Sequence, residues 1–137
     1  MPKRRHRVIV DTNLLICFLI NRDYSKLDRI LSHKQITLLY SQELIDEFIE
    51  VSRRPKFKRY FSISNIQELV LQISTRAEFI EVKAKVEVCS DPKDNFLLAL
   101  AKDGQATHLL TGDKDLLSIK KYSRAELITI TEYLGRI

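Results

Sequence analysis

Short runs of β-branched and aliphatic residues alternate with stretches of helical periodicity along the whole chain, and this alternation restricts the fold more than any other feature. Residues 7–10 hold Val8-Ile9-Val10 and run into Asp11-Thr12-Asn13, the pattern of a buried strand ending in a turn. Residues 36–40 and 108–110 read the same way, 127–130 as a last strand and 78–82 as a weak one. Between them, residues 14–20 are uniformly apolar, and Leu27, Ile30 and Leu31 recur with helical spacing within 24–32. Leu44, Ile45, Phe48 and Val51 stripe a helix that Ser41 can cap and Pro55 follows as a break. Ser62 or Ser64 opens the next helix, with Ile66, Leu69, Val70 and Ile73 on one face. Asp91-Pro92 opens another and Gly104 closes it. Its interior, Phe96-Leu97-Leu98-Ala99-Leu100-Ala101, is apolar on nearly every face and predicts deep packing. Residues 115–119 form a short helix, and Thr131 caps a terminal helical turn. The segment 83–89 carries no element signal.

Strands alternating with helices predict an α/β fold with a parallel sheet covered on both faces. The 137 residues suit one domain spanning 1–137, and 45% hydrophobic content with only 3 Gly and 3 Pro fills a core rather than a disordered chain. In such sheets ligands bind beyond the carboxyl ends of the strands. The excess of 23 Lys and Arg over 18 Asp and Glu gives +5, compatible with a polyanionic partner without demanding one. Two scattered cysteines, Cys17 and Cys89, make neither a disulfide framework nor a zinc pattern, so a reduced, cytoplasmic setting is expected, with Cys17 as a small core residue. Basic residues 3–7 followed by apolar runs superficially resemble a signal peptide, but Asp11 and Asn13 interrupt the apolar region and no small-residue cleavage site follows. No apolar stretch approaches the roughly 18 residues of a membrane span.

Acids fall where the strand-end rule points. Asp11 follows the first strand, Asp113 follows residues 108–110, and Asp94 lies in the first turn of the helix that Asp91 opens. Glu47 lies beside the apolar stripe of its helix. Converging carboxylates would raise one another's pKa, and a divalent cation is the direct remedy. The candidate ligands are hard oxygens, with no paired Cys or His, which favours Mg²⁺ or Mn²⁺ over Zn²⁺ and a phosphodiester as substrate. Other roles compete for these acids. Asp91 serves equally as a cap, while Asp94, Asp113 and Asp115 serve as helix-start acids. Glu47 shares its helix with Glu43, Asp46 and Glu50 as a solvated face. Thr12 and Asn13 could merely close an Asx-type turn. Asp11 is hardest to explain away, because an acid between two apolar runs is expensive unless paired or metal-bound.

At these positions the sequence resembles the PIN-domain family, and more narrowly the VapC-like toxins of toxin–antitoxin pairs. The resemblance rests on Val8-Ile9-Val10-Asp11-Thr12-Asn13, Ser41-Gln42-Glu43-Leu44-Ile45-Asp46-Glu47, Arg53-Arg54-Pro55-Lys56-Phe57, Asp91-Pro92-Lys93-Asp94-Asn95 and Thr111-Gly112-Asp113-Lys114-Asp115-Leu116-Leu117, in that order over nearly the whole chain. It implies a three-layer α/β/α fold with a central parallel sheet and a Mg²⁺- or Mn²⁺-dependent endoribonuclease. Asp11, Glu47, Asp94 and Asp113 match the four family acids, with Glu43 the fallback for Glu47. Asn13, Asp91, Asn95, Thr111 and Asp115 fall at accessory positions. Asp11, Asp94 and Asp113 are the expected metal ligands. Dimerisation and inhibition by a small antitoxin are further implications.

Arg53, Arg54 and Lys56, with Lys58 and Arg59, form the densest basic cluster and residues 3–7 the next. They suit an RNA backbone or, equally, a solvated surface or an antitoxin contact. Two other classes use similar scaffolds. A phospho-acceptor receiver module would want an acidic pair that the sequence lacks before Asp11, and a haloacid-dehalogenase phosphatase would want an acid where Asn13 stands. A non-catalytic RNA-binding or assembly subunit would share the fold and is separated only by a nuclease assay.

Overall fold

The computed structural model describes residues 5–87 and 94–137. The Asp91-Pro92 helix start and Cys89 lie outside the described residues.

The chain runs β1 (His6–Val10), α1 (Thr12–Asn21), α2 (Ser25–Ser32), β2 (Ile36–Tyr40), α3 (Gln42–Ser52), a single 3₁₀ turn (Pro55–Phe57), α4 (Ile63–Arg76), β3 (Glu78–Phe79), α5 (Asn95–Asp103), β4 (His108–Leu110), α6 (Lys114–Ile119), β5 (Lys121–Tyr122), β6 (Ala125–Ile128) and α7 (Ile130–Gly135). The strands form one six-stranded sheet in the order β3-β2-β1-β4-β6-β5. All neighbouring pairs are parallel except β5–β6, an antiparallel edge. Val8, Ile9 and Val10 of β1 and Leu109 and Leu110 of β4 are buried on both sides of the pleat. The sheet is therefore the middle of three layers, with helices on either face. From β1 the order departs in both directions, so the β1–β4 boundary is the switch point where such sheets open a crevice. Register aligns Val10 with Leu110 and Leu110 with Ile128. One residue beyond that row, Asp11 and Thr111 leave the sheet side by side.

The helices form where the apolar spacing places them. Ser41 caps α3 by accepting the Leu44 N–H at 3.2 Å, and Leu44, Ile45, Phe48 and Val51 are buried. Of the two serines, Ser62 opens α4, in a reciprocal capping box with Asn65. Residues 97–101 of α5 are all buried. Gly104 ends α5, yet its φ is −82° and the left-handed residue is Gln105, at 52°. The Gln105 N–H donates to Lys102 O and the Ala106 N–H to Ala101 O, the paired bonds of a Schellman ending. Glycine is needed at 104 for space: a Cβ would stand 2.8 Å from Leu39 Cδ1 and 2.9 Å from the Leu100 carbonyl oxygen.

Four sequence expectations change. Cys17 is exposed, not part of the core. With residues 14–20 all apolar, no polar residue marks the outward stripe, which turns out to carry Asn13, Cys17 and Asn21. The last strand stops at Ile128, and Thr129, not Thr131, caps α7 by accepting the Glu132 N–H at 3.2 Å. The weak strand at 78–82 contracts to Glu78–Phe79. The basic run at 3–7 also loses a member, because Arg7 is committed to the fold. Its guanidinium meets Glu78 at 2.6 Å and its Nε donates to Gly104 O at 2.8 Å, joining β1, β3 and the end of α5.

Candidate active site

Asp11 leaves the central strand at the switch point and is only 4% exposed. Backbone pairing fixes it, its N–H donating to Leu110 O at 2.9 Å. The Thr111 N–H, in turn, donates to Ile128 O at 3.0 Å, so Thr111 is equally fixed. Its hydroxyl donates to Asp11 Oδ2 at 2.7 Å, and Thr111 Oγ1 itself accepts the Asp113 N–H at 3.0 Å. Asp11 Oδ1 accepts the Asn13 N–H at 3.3 Å and so caps α1. Asp113 caps α6 by accepting the Asp115 N–H at 2.8 Å. Asp11, Asn13, Thr111, Asp113 and Asp115 thus form one hydrogen-bonded network, and its acids serve as caps and as a charged cluster at once.

The charge in this network is not balanced. Burial pushes the Asp11 carboxyl above its ordinary pKa; the Thr111 hydroxyl and the Asn13 N–H pull it down, and the Asp113 charge adds a smaller upward push. The Thr12 hydroxyl beside it is buried with no hydrogen-bond partner among the described residues. Only adjacency to Asp11 could have singled it out in the sequence. A desolvated carboxylate facing a second carboxylate, with hard oxygen donors around it, fits a small divalent cation. Among the described residues no three His, Cys, Asp or Glu side chains are grouped closely enough to hold a metal together. Two carboxylates suffice for Mg²⁺, which keeps several waters and takes further oxygens from substrate phosphates.

Glu47 is half-buried on α3, a helix packed against α1 and α5. Asp94 is half-buried at the start of α5, followed by Asn95. Asn95 shares a cleft of about 330 Å³ with Glu43 and Phe96. Arg53, Arg54 and Lys56 are exposed around the turn that ends α3, with Lys56 Nζ lying 5.1 Å from the Phe57 ring centre.

A family model described as PIN domain matches residues 7–115, which include Asp11, Glu47, Asp94 and Asp113. The chain belongs to the PIN domain family. The PIN domain is 28% identical over 123 residues to the uncharacterized protein MJ1680 of Methanocaldococcus jannaschii, covering 88% of this chain and 79% of that one. Its fold is similar to that of PAE2754 from Pyrobaculum aerophilum, with a TM-score of 0.60 and 17% identity over 96% of this chain and 88% of that one. It is also similar to a chain of VapBC2 from Rickettsia felis, solved with a DNA fragment from its promoter, with a TM-score of 0.55 and 20% identity over 88% and 96% of the two chains. The PIN domain has a nuclease-type fold, and among its described residues no helix is long and apolar enough to cross a membrane. Family membership leaves the phospho-acceptor reading without support.

Because Thr111 is the main hydrogen-bonding counterweight to burial, Thr111→Val tests the network with little change in shape. Losing that hydroxyl raises the Asp11 pKa further and removes the acceptor of the Asp113 N–H. Any activity that requires ionised Asp11 should then lose its acid limb at higher pH in the variant, about 0.5 to 1 pH unit above wild type. An unshifted limb would show that the Thr111 bond does not tune this carboxylate.

Proposed function

We propose that this PIN domain is a Mg²⁺- or Mn²⁺-dependent endoribonuclease, acting as the toxin of a toxin–antitoxin pair. The observation that carries the reading is Asp11, a buried carboxylate at the sheet's switch point whose pKa is raised by burial and by Asp113. Asp11 and Asp113 would hold the cation directly; Asp94 and Glu47, which do not group with them closely enough to bind the same ion, would act through its bound waters, Glu47 as base. The cation, when bound, supplies charge for the phosphate oxygens and acidifies water.

The chain's own residues do the rest. Thr111 favours the ionised form of Asp11 and orients it, and its backbone bond to Ile128 just past the end of β4 keeps the carboxylate from turning away. Glu47 is the group proposed to take the proton of the attacking water. Asn13, Asp91, Asn95 and Asp115 are proposed to orient ligands or water. Arg53, Arg54 and Lys56 are proposed to hold the RNA backbone, which predicts a salt-dependent affinity. A small antitoxin and a homodimer, which rest on the motif resemblance, and a cytoplasmic setting, which rests on the two scattered cysteines, complete the proposal.

The experiment is cleavage of defined RNA by the purified chain. Products should form with Mg²⁺ or Mn²⁺, vanish in excess EDTA and return when metal is restored. Cleavage that persists through EDTA treatment would reject the metal-dependent mechanism.

A further inference from the structure

The amino-terminal ends of the central strands carry a second cluster of polar and titratable side chains. His6 opens β1 and His108 opens β4, and because Val8 pairs with His108, both imidazoles stand on the same face. Their ring centres are 4.7 Å apart, and Tyr133 of α7 closes the group at 4.7 Å from His108. His6 Nδ1 lies 2.7 Å from the Tyr133 hydroxyl, and His108 Nδ1 lies 2.8 Å from Thr107 Oγ1. Both Nδ1 atoms are thus engaged, and neither Nε2 has a hydrogen-bond partner among the described residues. An open cavity of about 660 Å³ lies here, lined by Arg5, His6, Thr107, His108 and Arg124. Among the described residues, no carboxylate lines it.

We propose that this cavity binds a phosphate group, with the two imidazole Nε2 atoms and the guanidiniums of Arg5 and Arg124 as donors. Guanidinium forks match phosphate oxygens, and the Arg pair disfavours a metal cation at the same imidazoles. The site is independent of the acids at the carboxyl ends of the same strands, about 17 Å away along β1 at strand rise.

The electrostatics agree. His108 is driven down to about 4, first by burial and then by His6 and Arg136, with only Glu126 pushing upward. His6 is lowered by burial and by His33. Glu126 is itself held by Arg136 at 2.9 and 3.0 Å. Tyr133, raised to about 12 by burial, stays protonated and adds no negative charge. Glu126, the cross-strand partner of His108, is already paired with Arg136, so no free counter-anion stands at the imidazoles among the described residues, and a bound phosphate should restore protons to them.

The test is titration of the full chain with inorganic phosphate in EDTA at constant ionic strength, followed by the His6 and His108 ring signals in NMR. Both signals should shift together and saturate, and the His108 midpoint should move up by about one pH unit or more. Arg5→Ala and Arg124→Ala, both at exposed positions, should each weaken phosphate about tenfold, whereas Asp11→Asn should not. A short RNA that displaces phosphate whether or not its 5′ end is phosphorylated identifies backbone diesters as the source. Displacement by the 5′-phosphorylated RNA alone identifies a terminal monoester, and displacement by neither identifies free phosphate. Non-saturating shifts, equal shifts with chloride, or saturation by Zn²⁺ with no response to phosphate would overturn the proposal.

Discussion

Asp11→Asn is expected to remove metal-dependent RNA cleavage by about a thousandfold or more while the chain stays folded. The amide occupies the same space and its oxygen can still accept the Thr111 hydroxyl bond of 2.7 Å. What disappears is the negative charge that a cation would balance. The same variant carries a stability signature that needs no substrate. The folded pKa of Asp11 lies above its ordinary value, so without metal the native state binds this proton more tightly than the unfolded chain does. Stability contributed by Asp11 is therefore full at low pH and is lost as pH rises through the ordinary carboxylate value toward the raised folded one. Asp23, Glu78, Asp103 and Glu126, whose pKa values are lowered, act in the opposite direction. The readout is accordingly the difference between wild type and Asp11→Asn. Urea denaturation in EDTA between about pH 4 and 7 should show that difference moving in favour of the variant as pH rises. Mg²⁺ or Mn²⁺ should then raise the wild-type Tm and leave the variant unmoved. Full cleavage by Asp11→Asn with metal present would remove this residue from the reaction.

Phe48→Ala is expected to destabilise the fold by about 3–5 kcal/mol, a Tm loss of roughly 10–20 °C for a chain of this size. Phe48 is fully buried on α3, among the side chains that seat this helix in the core. Truncation leaves a cavity that the neighbouring aliphatic residues can only partly fill. Its neighbour Glu47 is only half-buried, so Glu47→Gln should change stability by no more than about 0.5 kcal/mol while reducing cleavage. The pair separates two adjacent residues of one helix by the property each controls. Urea midpoints at unchanged m-value measure it. A Phe48→Ala loss below about 1 kcal/mol would mean that α3 is not anchored through this ring.

The fold was largely legible because its central strands are buried on both faces and its helices are buried on one. Residues 36–40 and 108–110 show strands by composition alone, and the Leu44, Ile45, Phe48, Val51 stripe shows α3 by period. The antiparallel β5 was not legible. Its turn uses Ser123, at φ 55°, and Arg124, without the Gly or Asn that normally marks a hairpin. Cys17 was misplaced because a run with no polar residue has no visible outward face. The Thr129 cap lay hidden inside what reads as a continuous β-branched run from 128 to 131.

For the candidate site, residue identity came from the chain and proximity came from the fold. Asp11 and Asp113 each declare themselves locally, as an acid that ends an apolar strand. That two positions about 100 residues apart share one hydrogen-bonded network follows only from the parallel pairing of β1 with β4, which brings Thr111 to 2.7 Å from Asp11. The His6–His108–Tyr133 group is the same lesson at the amino-terminal ends of the strands. Its members carry no motif, and only strand register and the return of α7 bring them together, because side-chain chemistry is written residue by residue whereas distance across a sheet is set by which strands pair.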